Sequence, residues 1–127
     1  HISEGTNLPS GEKISAIRDI IDDQLLGIML SCVSPENFEI NLKELKNLNV
    51  PFGFKVNAFI TTKPKDGYTS TFTKSNGNPN EFLGQREDLT PQKVGELARN
   101  FHNNGATIIG GCCETRPSHI EAMANTI

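Results

Sequence analysis

The sequence predicts an α/β fold in which parallel strands alternate with helices. Short apolar runs of strand length alternate with segments whose apolar residues recur every three or four positions. The strand-like runs are almost continuously apolar, as is typical of strands buried on both faces of a parallel sheet. The later helices begin at prolines, a residue that fits the first helical position: Pro35, Pro91 and Pro117. In this class of fold, ligands bind beyond the carboxyl ends of the strands.

The first predicted helix covers residues 11–23. Its apolar residues recur at spacings of three and four, as expected of a helix with one buried face: Ile14, Ile17 and Ile21. Residues 25–32 follow as a short apolar run, which predicts a buried strand. This strand ends on Cys32, the first of three cysteines in the chain.

The second predicted helix begins at Ser34 and Pro35, because a serine side chain caps free amides and proline fits the first turn. Its buried stripe consists of three apolar residues: Phe38, Leu42 and Leu45. Residues 50–59 are rich in residues that favour strands and predict the next one. Asn57 stands near the exit of that strand as an isolated polar residue.

The second half of the chain opens with its longest irregular region. Residues 61–89 are mostly polar residues, glycine and proline, and they predict a long loop that serves either as a lid or as a connector. Its larger side chains would form such a lid: Tyr68, Phe72, Phe82 and Arg86. Thr90 and Pro91 begin another helix, residues 106–111 predict the last strand, and residues 117–125 the last helix.

Composition places the chain among single-domain proteins that act on small molecules. The 127 residues form one predicted domain, with a net charge of -3 and no block of like charge. Neither nucleic acid nor an anionic membrane surface is therefore an expected partner. No apolar stretch approaches the roughly 18 residues that span a bilayer, and the first residues do not resemble a signal peptide. We expect a cytoplasmic protein.

The cysteines are the strongest indication of chemistry. Three cysteines cannot pair fully within one chain, and the adjacent Cys112 and Cys113 are poorly placed to bridge each other, so reduced thiols or metal ligands remain. Because Cys32 also ends a predicted strand, parallel strands would bring all three to one edge of the sheet. Cys112 and Cys113 can reach one ion only where the strand relaxes, which Gly110 and Gly111 permit.

Thiolate ligands favour zinc, and three of them leave a fourth position free for water or substrate. A cation in such a site lowers the pKa of an incoming thiol, which predicts alkyl transfer to a substrate thiol.

Two other interpretations of the cysteines remain open. Each cysteine alone is typical of a small buried apolar residue. Redox use of Cys112 and Cys113 is less favoured, because the two intervening residues of dithiol oxidoreductases are missing.

Several segments resemble the homocysteine S-methyltransferase family. Gly-Gly-Cys-Cys at residues 110–113, followed by Pro-Ser-His-Ile at residues 117–120, resembles that family's last strand and helix start. Cys32, within residues 27–36, is similar to the earlier zinc-ligand segment of the family. Val56 and Asn57 resemble the end of a family strand with the motif tyrosine-proline-asparagine. Lys55 and Val56 depart from the first two residues of that motif.

The resemblance implies a fold, a cofactor and a reaction. Members of the family are eight-stranded β/α barrels that bind zinc through three cysteines and methylate homocysteine to methionine. By that match, residues 1–127 are the C-terminal half of a TIM (β/α)8 barrel, incomplete in this chain. The resemblance implies zinc ligation by Cys32, Cys112 and Cys113, with substrate contacts at Asn57 and Gly111.

The same resemblance names partners and an alternative. The implied substrates are homocysteine and a small methyl donor, such as S-methylmethionine, S-adenosylmethionine, a betaine-type compound or a methylfolate. The isolated chain is expected to be inactive without the missing half of the barrel, and to form homo-oligomers or associate with that half. The alternative is a non-catalytic, zinc-binding half-barrel that assembles with a partner chain.

His119 is expected to be a surface cap residue of the last helix.

Overall fold

A computed structural model describes residues 5–61 and 83–127 of the chain. The aromatic residues of the predicted lid lie outside these ranges: Tyr68, Phe72 and Phe82. The elements, in chain order, are a 3-10 helix (Ile14–Ile20), β1 (Ile28–Val33), α1 (Pro35–Lys46), β2 (Phe52–Val56), α2 (Pro91–Asn103), β3 (Ile108–Gly111) and α3 (Pro117–Thr126). In this part of the chain, no helix is both long and apolar enough to span a bilayer.

The sheet is parallel, with the strand order β1-β2-β3. β2 lies in the middle and pairs with both neighbours, Phe54 being opposite Leu30 of β1 and Ile109 of β3. Helix α1 connects the first pair of strands and α2 lies between the second pair in sequence. The predicted alternation of parallel strands and helices is confirmed, and it brings the carboxyl ends of all three strands to one edge.

Three aromatic rings form the centre of the core. Phe38 of α1, Phe54 of β2 and Phe101 of α2 are each at most 1% exposed. Their ring centroids lie 4.8–5.3 Å apart, in tilted or edge-to-face arrangements that aromatic pairs favour. The contact joins two helices to the central strand, so it fixes the distance at which the helices pack on one face of the sheet.

The predicted starts of the three later helices, at Pro35, Pro91 and Pro117, are confirmed. The Ser34 hydroxyl accepts a hydrogen bond from the backbone N–H of Asn37 at 3.2 Å. Thr90 does the same for the backbone N–H of Lys93, also at 3.2 Å. In both helices a proline follows the cap, where its missing N–H costs nothing. These caps satisfy amides that the first helical turn would leave without partners.

The first predicted helix is shorter and of a different type. Residues 11–23 were expected to form an amphipathic helix, but only Ile14–Ile20 are helical, as a 3-10 helix with Ile14 as its one buried residue. No side chain caps its start, and acidic residues crowd its carboxyl end, where the helix dipole disfavours negative charge. Branched isoleucines also lower the α-helical propensity, and a spacing of three suits a 3-10 turn.

The expectation that the first strand is buried on both faces is wrong within the described residues. Leu30 of β1 is 3% exposed, whereas its neighbour Met29 is 39% exposed. The pairing register places Met29 on the same face as Gly53 of β2 and Ile108 of β3. The helices and the aromatic rings pack against the opposite face, so the face that carries Met29 is left partly open.

Two glycines on this open face provide a test of the packing between β2 and β3. An added Cβ at Gly53 would overlap the backbone carbonyl of Ile108, whereas one at Gly110 meets only ordinary contacts, the nearest being Lys55 Cγ at 3.6 Å. We therefore expect Gly53→Ala to lower the free energy of unfolding by about 1–3 kcal/mol, because backbone cannot yield as a side chain can. Gly110→Ala should change it by less than about 0.5 kcal/mol. Urea unfolding followed by circular dichroism measures both, and equal losses would contradict this account.

Candidate metal centre

Cys32 occupies a bulge near the end of β1. The pairing with β2 runs regularly to Ser31 opposite Lys55 and resumes at Val33 opposite Val56, so Cys32 is an inserted residue without a place in the register. Its backbone φ is 53°, in the left-handed region that non-glycine residues rarely adopt. A bulge bends the strand and redirects a side chain. The inserted residue therefore carries its thiol away from the line of β1.

Cys112 and Cys113 lie in the turn that follows β3. The turn is closed on Cys112, whose carbonyl accepts hydrogen bonds from the backbone N–H of Thr115 at 3.1 Å and from its hydroxyl at 2.6 Å. Glu114 adopts a left-handed conformation with φ of 60°. The strand thus relaxes before Cys113, as the sequence required for two adjacent cysteines to reach one point.

Residues at the end of β2 and just after it form backbone hydrogen bonds to the segment of Cys32 and to that of Cys112 and Cys113. On the β1 side, the backbone N–H of Asn57 donates to Val33 at 2.9 Å. On the β3 side, the backbone N–H of Cys112 donates to Val56 at 2.7 Å, and that of Ala58 donates to Cys113 at 3.0 Å. Residues 56–58 therefore connect the two outer strands where the sheet ends.

The three sulfur atoms meet above this strand end. Strands β1 and β3 stand on either side of β2, so regular side chains at their ends would be roughly 9–10 Å apart. Instead, Cys32 Sγ lies 3.9 Å from Cys113 Sγ, Cys112 Sγ lies 4.0 Å from Cys113 Sγ, and all three are within 4.8 Å of one another. A tetrahedral ion with metal–sulfur bonds of about 2.3 Å separates its sulfur ligands by about 3.8 Å. The spacing and the donor type therefore suit one metal ion.

The three thiols have different acidities. Burial raises the pKa of Cys32 to about 12, and hydrogen bonding and charge from Cys112 and Cys113 act in the same direction. Burial and the neighbouring Cys112 also raise the pKa of Cys113. For Cys112, burial acts upward, but the backbone N–H of Cys113, the other thiols and the Lys55 ammonium outweigh it and lower the pKa. Cys112 is therefore the thiol that ionises first in the metal-free cluster.

The two residues predicted to contact substrate both lie at the cluster. Asn57 is 1% exposed, and its side chain contacts Cys32 and the backbone of Phe59. Gly111 precedes Cys112, and an added Cβ there would overlap the Thr115 side chain. The glycine thus makes room for the hydroxyl that closes the turn, and substrate contact at both residues stays a prediction.

Sequence comparison agrees with this geometry. The sequence model of the family described as homocysteine S-methyltransferase matches residues 1–127. The chain belongs to the homocysteine S-methyltransferase family. It is 26% identical over 124 residues to the homocysteine S-methyltransferase YbgG of Bacillus subtilis, and 25% identical over 126 residues to homocysteine S-methyltransferase 1 of Zea mays.

The alignments cover nearly all of this chain but only part of each relative. Each alignment covers 98% of this chain but 33% and 35% of the Bacillus and maize proteins. Homocysteine S-methyltransferase 1 of Brassica oleracea gives a similar result, with 24% identity and 35% of its length covered. The chain therefore spans about a third of the length of the curated relatives it matches.

His119 has a larger role in this family member than the sequence predicted. Its Nδ1 accepts the backbone N–H of Arg116 at 2.9 Å, which confirms a capping role at the start of α3. The prediction of a surface position is wrong, because the residue is 6% exposed and Nε2 lies 3.0 Å from the carbonyl oxygen of Leu89. With Nδ1 accepting, the proton is on Nε2, which donates to Leu89. The imidazole thus connects the cysteine turn to the segment before α2.

Arg86 forms ion pairs with Glu36 and Asp88 near the end of β2. The sequence analysis did not identify this group. Residues 83–89, predicted as part of a loop, return beside β2: Phe59 and Gln85 form an antiparallel bridge, and the backbone N–H of Arg86 donates to Ala58 at 2.8 Å. The Arg86 guanidinium then contacts the carboxylates of Glu36 at 2.8 Å and Asp88 at 2.7 Å. The hydrogen bond from Arg86 lowers the pKa of Glu36. Charge pairing across 50 residues of sequence gives no local signal that could have predicted it.

The acidities of the cysteines predict an order of alkylation. In the metal-free chain at about pH 8, iodoacetamide should modify Cys112 first and Cys32 last, because the thiolate is the reacting form and burial holds the pKa of Cys32 at about 12. Peptide mass spectrometry at successive times measures the order. In urea, the three rates should converge. Fastest modification of Cys32 in the folded chain would show that the acidities are assigned wrongly.

Proposed function

We propose that this chain carries the zinc site of an enzyme that transfers a methyl group from a small donor to the thiol of homocysteine, giving methionine. The observation that carries the proposal is the convergence of Cys32, Cys112 and Cys113, whose sulfur atoms all lie within 4.8 Å of one another. Family membership gives the reaction class. The proposal places this chemistry in the cytoplasm.

The donor set suits zinc and leaves room for catalysis. Structural zinc sites normally use four protein ligands, whereas catalytic sites use three and leave one position for water or substrate. Among the described residues, the three cysteines are the group of metal-binding side chains that converges in this way. When bound, zinc supplies a positive centre that makes a nearby substrate thiol more acidic.

The protein's own contribution is position and charge. The cysteine turn is closed by the two hydrogen bonds of Thr115 to Cys112, so the second and third sulfur atoms keep their separation. The Lys55 ammonium lies close enough to Cys112 to help lower its pKa. A positive side chain beside Cys112 favours the thiolate form of that residue. The chain thereby assembles the three sulfur donors before substrate arrives.

We propose further that residues 1–127 are the C-terminal part of a β/α barrel. Three parallel strands with helices on one face are consistent with such a part, and the chain covers about a third of its relatives' lengths. A closed barrel usually takes about 250 residues. The homocysteine and methyl-donor pockets then require strands outside this chain, supplied by the rest of the barrel.

A second candidate function is a non-catalytic, zinc-binding half-barrel that assembles with a partner chain or a second copy of itself. The observation that favours it is the open face of the sheet, where Met29 is 39% exposed. Just before β1, Leu26 is 89% exposed. Apolar residues on and beside an uncovered sheet are typical of a surface that another segment covers. In this case zinc binding stabilises the assembly and no methyl transfer follows.

Metal content tests the site itself. The chain purified under reducing conditions should contain about one zinc ion per chain, measured by atomic emission, because three thiolates bind zinc tightly. Cys113→Ser should lose the metal, since one of the three converging sulfur atoms is removed. Ser118→Ala, an exposed change in the first turn of α3, should keep it. Metal-free protein with three titratable thiols would argue for ordinary buried cysteines.

Methyl transfer separates the two candidate functions. The 127-residue chain alone should give no methionine from homocysteine and S-methylmethionine, because most of the substrate pocket is expected to lie in the rest of the barrel. Activity should appear when that remainder is supplied on the same or a second chain. Robust activity of the isolated chain would contradict the incomplete pocket. An assembled, zinc-loaded barrel that remains inactive with all tested donors would favour the non-catalytic half-barrel.

A further inference from the structure

Asn57 is a buried polar side chain at the point where the two cysteine segments meet. It is 1% exposed, in a part of the core where an unpaired carboxamide would be costly. Both ends of the group are occupied. The Nδ2 group donates to the carbonyl oxygen of Cys32 at 2.8 Å, and Oδ1 accepts the backbone N–H of Phe59 at 3.2 Å. The side chain is therefore fixed in orientation.

Asn57 hydrogen-bonds to Cys32, a residue in a disfavoured backbone conformation. Cys32 is the inserted residue of the β1 bulge, and its φ of 53° is disfavoured for any residue with a Cβ. Bulged residues lie outside the regular ladder, so their backbone groups need other partners. The carboxamide supplies one to the Cys32 carbonyl, while the backbone N–H of Asn57 holds the next residue, Val33. The conformation that redirects the thiol is thus supported by both the side chain and the backbone of Asn57.

The same nitrogen also lies within reach of the sulfur. Asn57 Nδ2 is 3.7 Å from Cys32 Sγ, a distance compatible with an N–H···S hydrogen bond. A carboxamide has two N–H groups, so it can donate to the carbonyl oxygen and to the sulfur together. A donor to a thiolate stabilises the anion and withdraws electron density from it. Such outer partners of metal ligands commonly fix both the orientation and the strength of the ligand.

We propose that Asn57 is a positioning residue of the metal centre, which holds Cys32 in its left-handed bulge and donates a hydrogen bond to its sulfur. The inference rests on the proposed zinc site and assigns Asn57 a role that acts through a metal ligand instead of through a substrate. Without the carboxamide, the first sulfur loses both its backbone support and its hydrogen-bond donor. The other two sulfur atoms, held by the turn after β3, stay in place.

The test uses Co(II) as a spectroscopic substitute for zinc in the full chain. Asn57→Leu keeps the shape of the side chain and removes its hydrogen bonds. We expect Co(II) affinity to fall about 10–100-fold, as is typical when an outer partner of a metal ligand is lost. The sulfur-to-cobalt charge-transfer absorption should lose about a third of its intensity or shift to lower energy, because the third thiolate is lost or becomes more electron-rich.

Asn41 provides the matched control. It is also a fully buried asparagine, and its Nδ2 donates to the carbonyl oxygens of Gly5 and Asn37, not to any residue of the cysteine cluster. Asn41→Leu should alter stability while leaving Co(II) affinity and the charge-transfer spectrum as in the wild-type chain. Equal spectra for Asn57→Leu and wild type, with equal affinities, would overturn the inference alone. Wild-type chain that binds no Co(II) would overturn the proposed zinc site and this inference with it.

A second measurement needs no variant and stands if Asn57→Leu does not fold. In the wild-type chain loaded with cadmium-113, an N–H···S hydrogen bond transmits scalar coupling from the metal to the donor proton. We expect NMR to show this coupling at a side-chain amide proton of Asn57. A cadmium-loaded chain with three bound sulfurs and no coupling to that proton would refute the hydrogen bond.

Discussion

The site depends on the hydrogen bonds made by residues 56–58, at the end of β2 and just after it. Parallel strands end at a common edge, but their spacing keeps the ends of β1 and β3 too far apart for a shared ion. Residues 56–58 bind the neighbouring backbone on both sides and thus fix the two cysteine segments relative to one another. A bulge on one side and a turn on the other then bring the sulfurs together. Because the central strand supplies these contacts, the cluster forms within three strands.

Much of this arrangement could be predicted from the chain because it follows from local patterns. Proline after a capping hydroxyl gave the helix starts, and the position of each cysteine after an apolar run gave the common edge. The left-handed bulge at Cys32 could not be predicted, since it arises from the pairing of β1 with β2 and from a buried carboxamide distant in sequence. The depth of His119 likewise depends on a contact with Leu89, 30 residues away.

The proposed metal centre and the proposed substrate pocket have different structural requirements. Sulfur donors come from two strands that the central strand holds together, and all of these lie within the described residues. The proposed recognition of two small substrates needs a concave surface, whereas the sheet face that carries Met29 is partly open. A chain with about a third of its relatives' length thus brings together three cysteines that could hold a metal ion.

The most direct test of the account is zinc X-ray absorption on the reduced, zinc-loaded chain. We expect the metal's nearest shell to contain three sulfur atoms at about 2.3 Å and one lighter atom, and to lose one sulfur in Cys32→Ser. This result would show that the bulged cysteine of β1 and the two cysteines after β3 share one ion. A shell dominated by nitrogen and oxygen, or one unchanged by Cys32→Ser, would contradict the account.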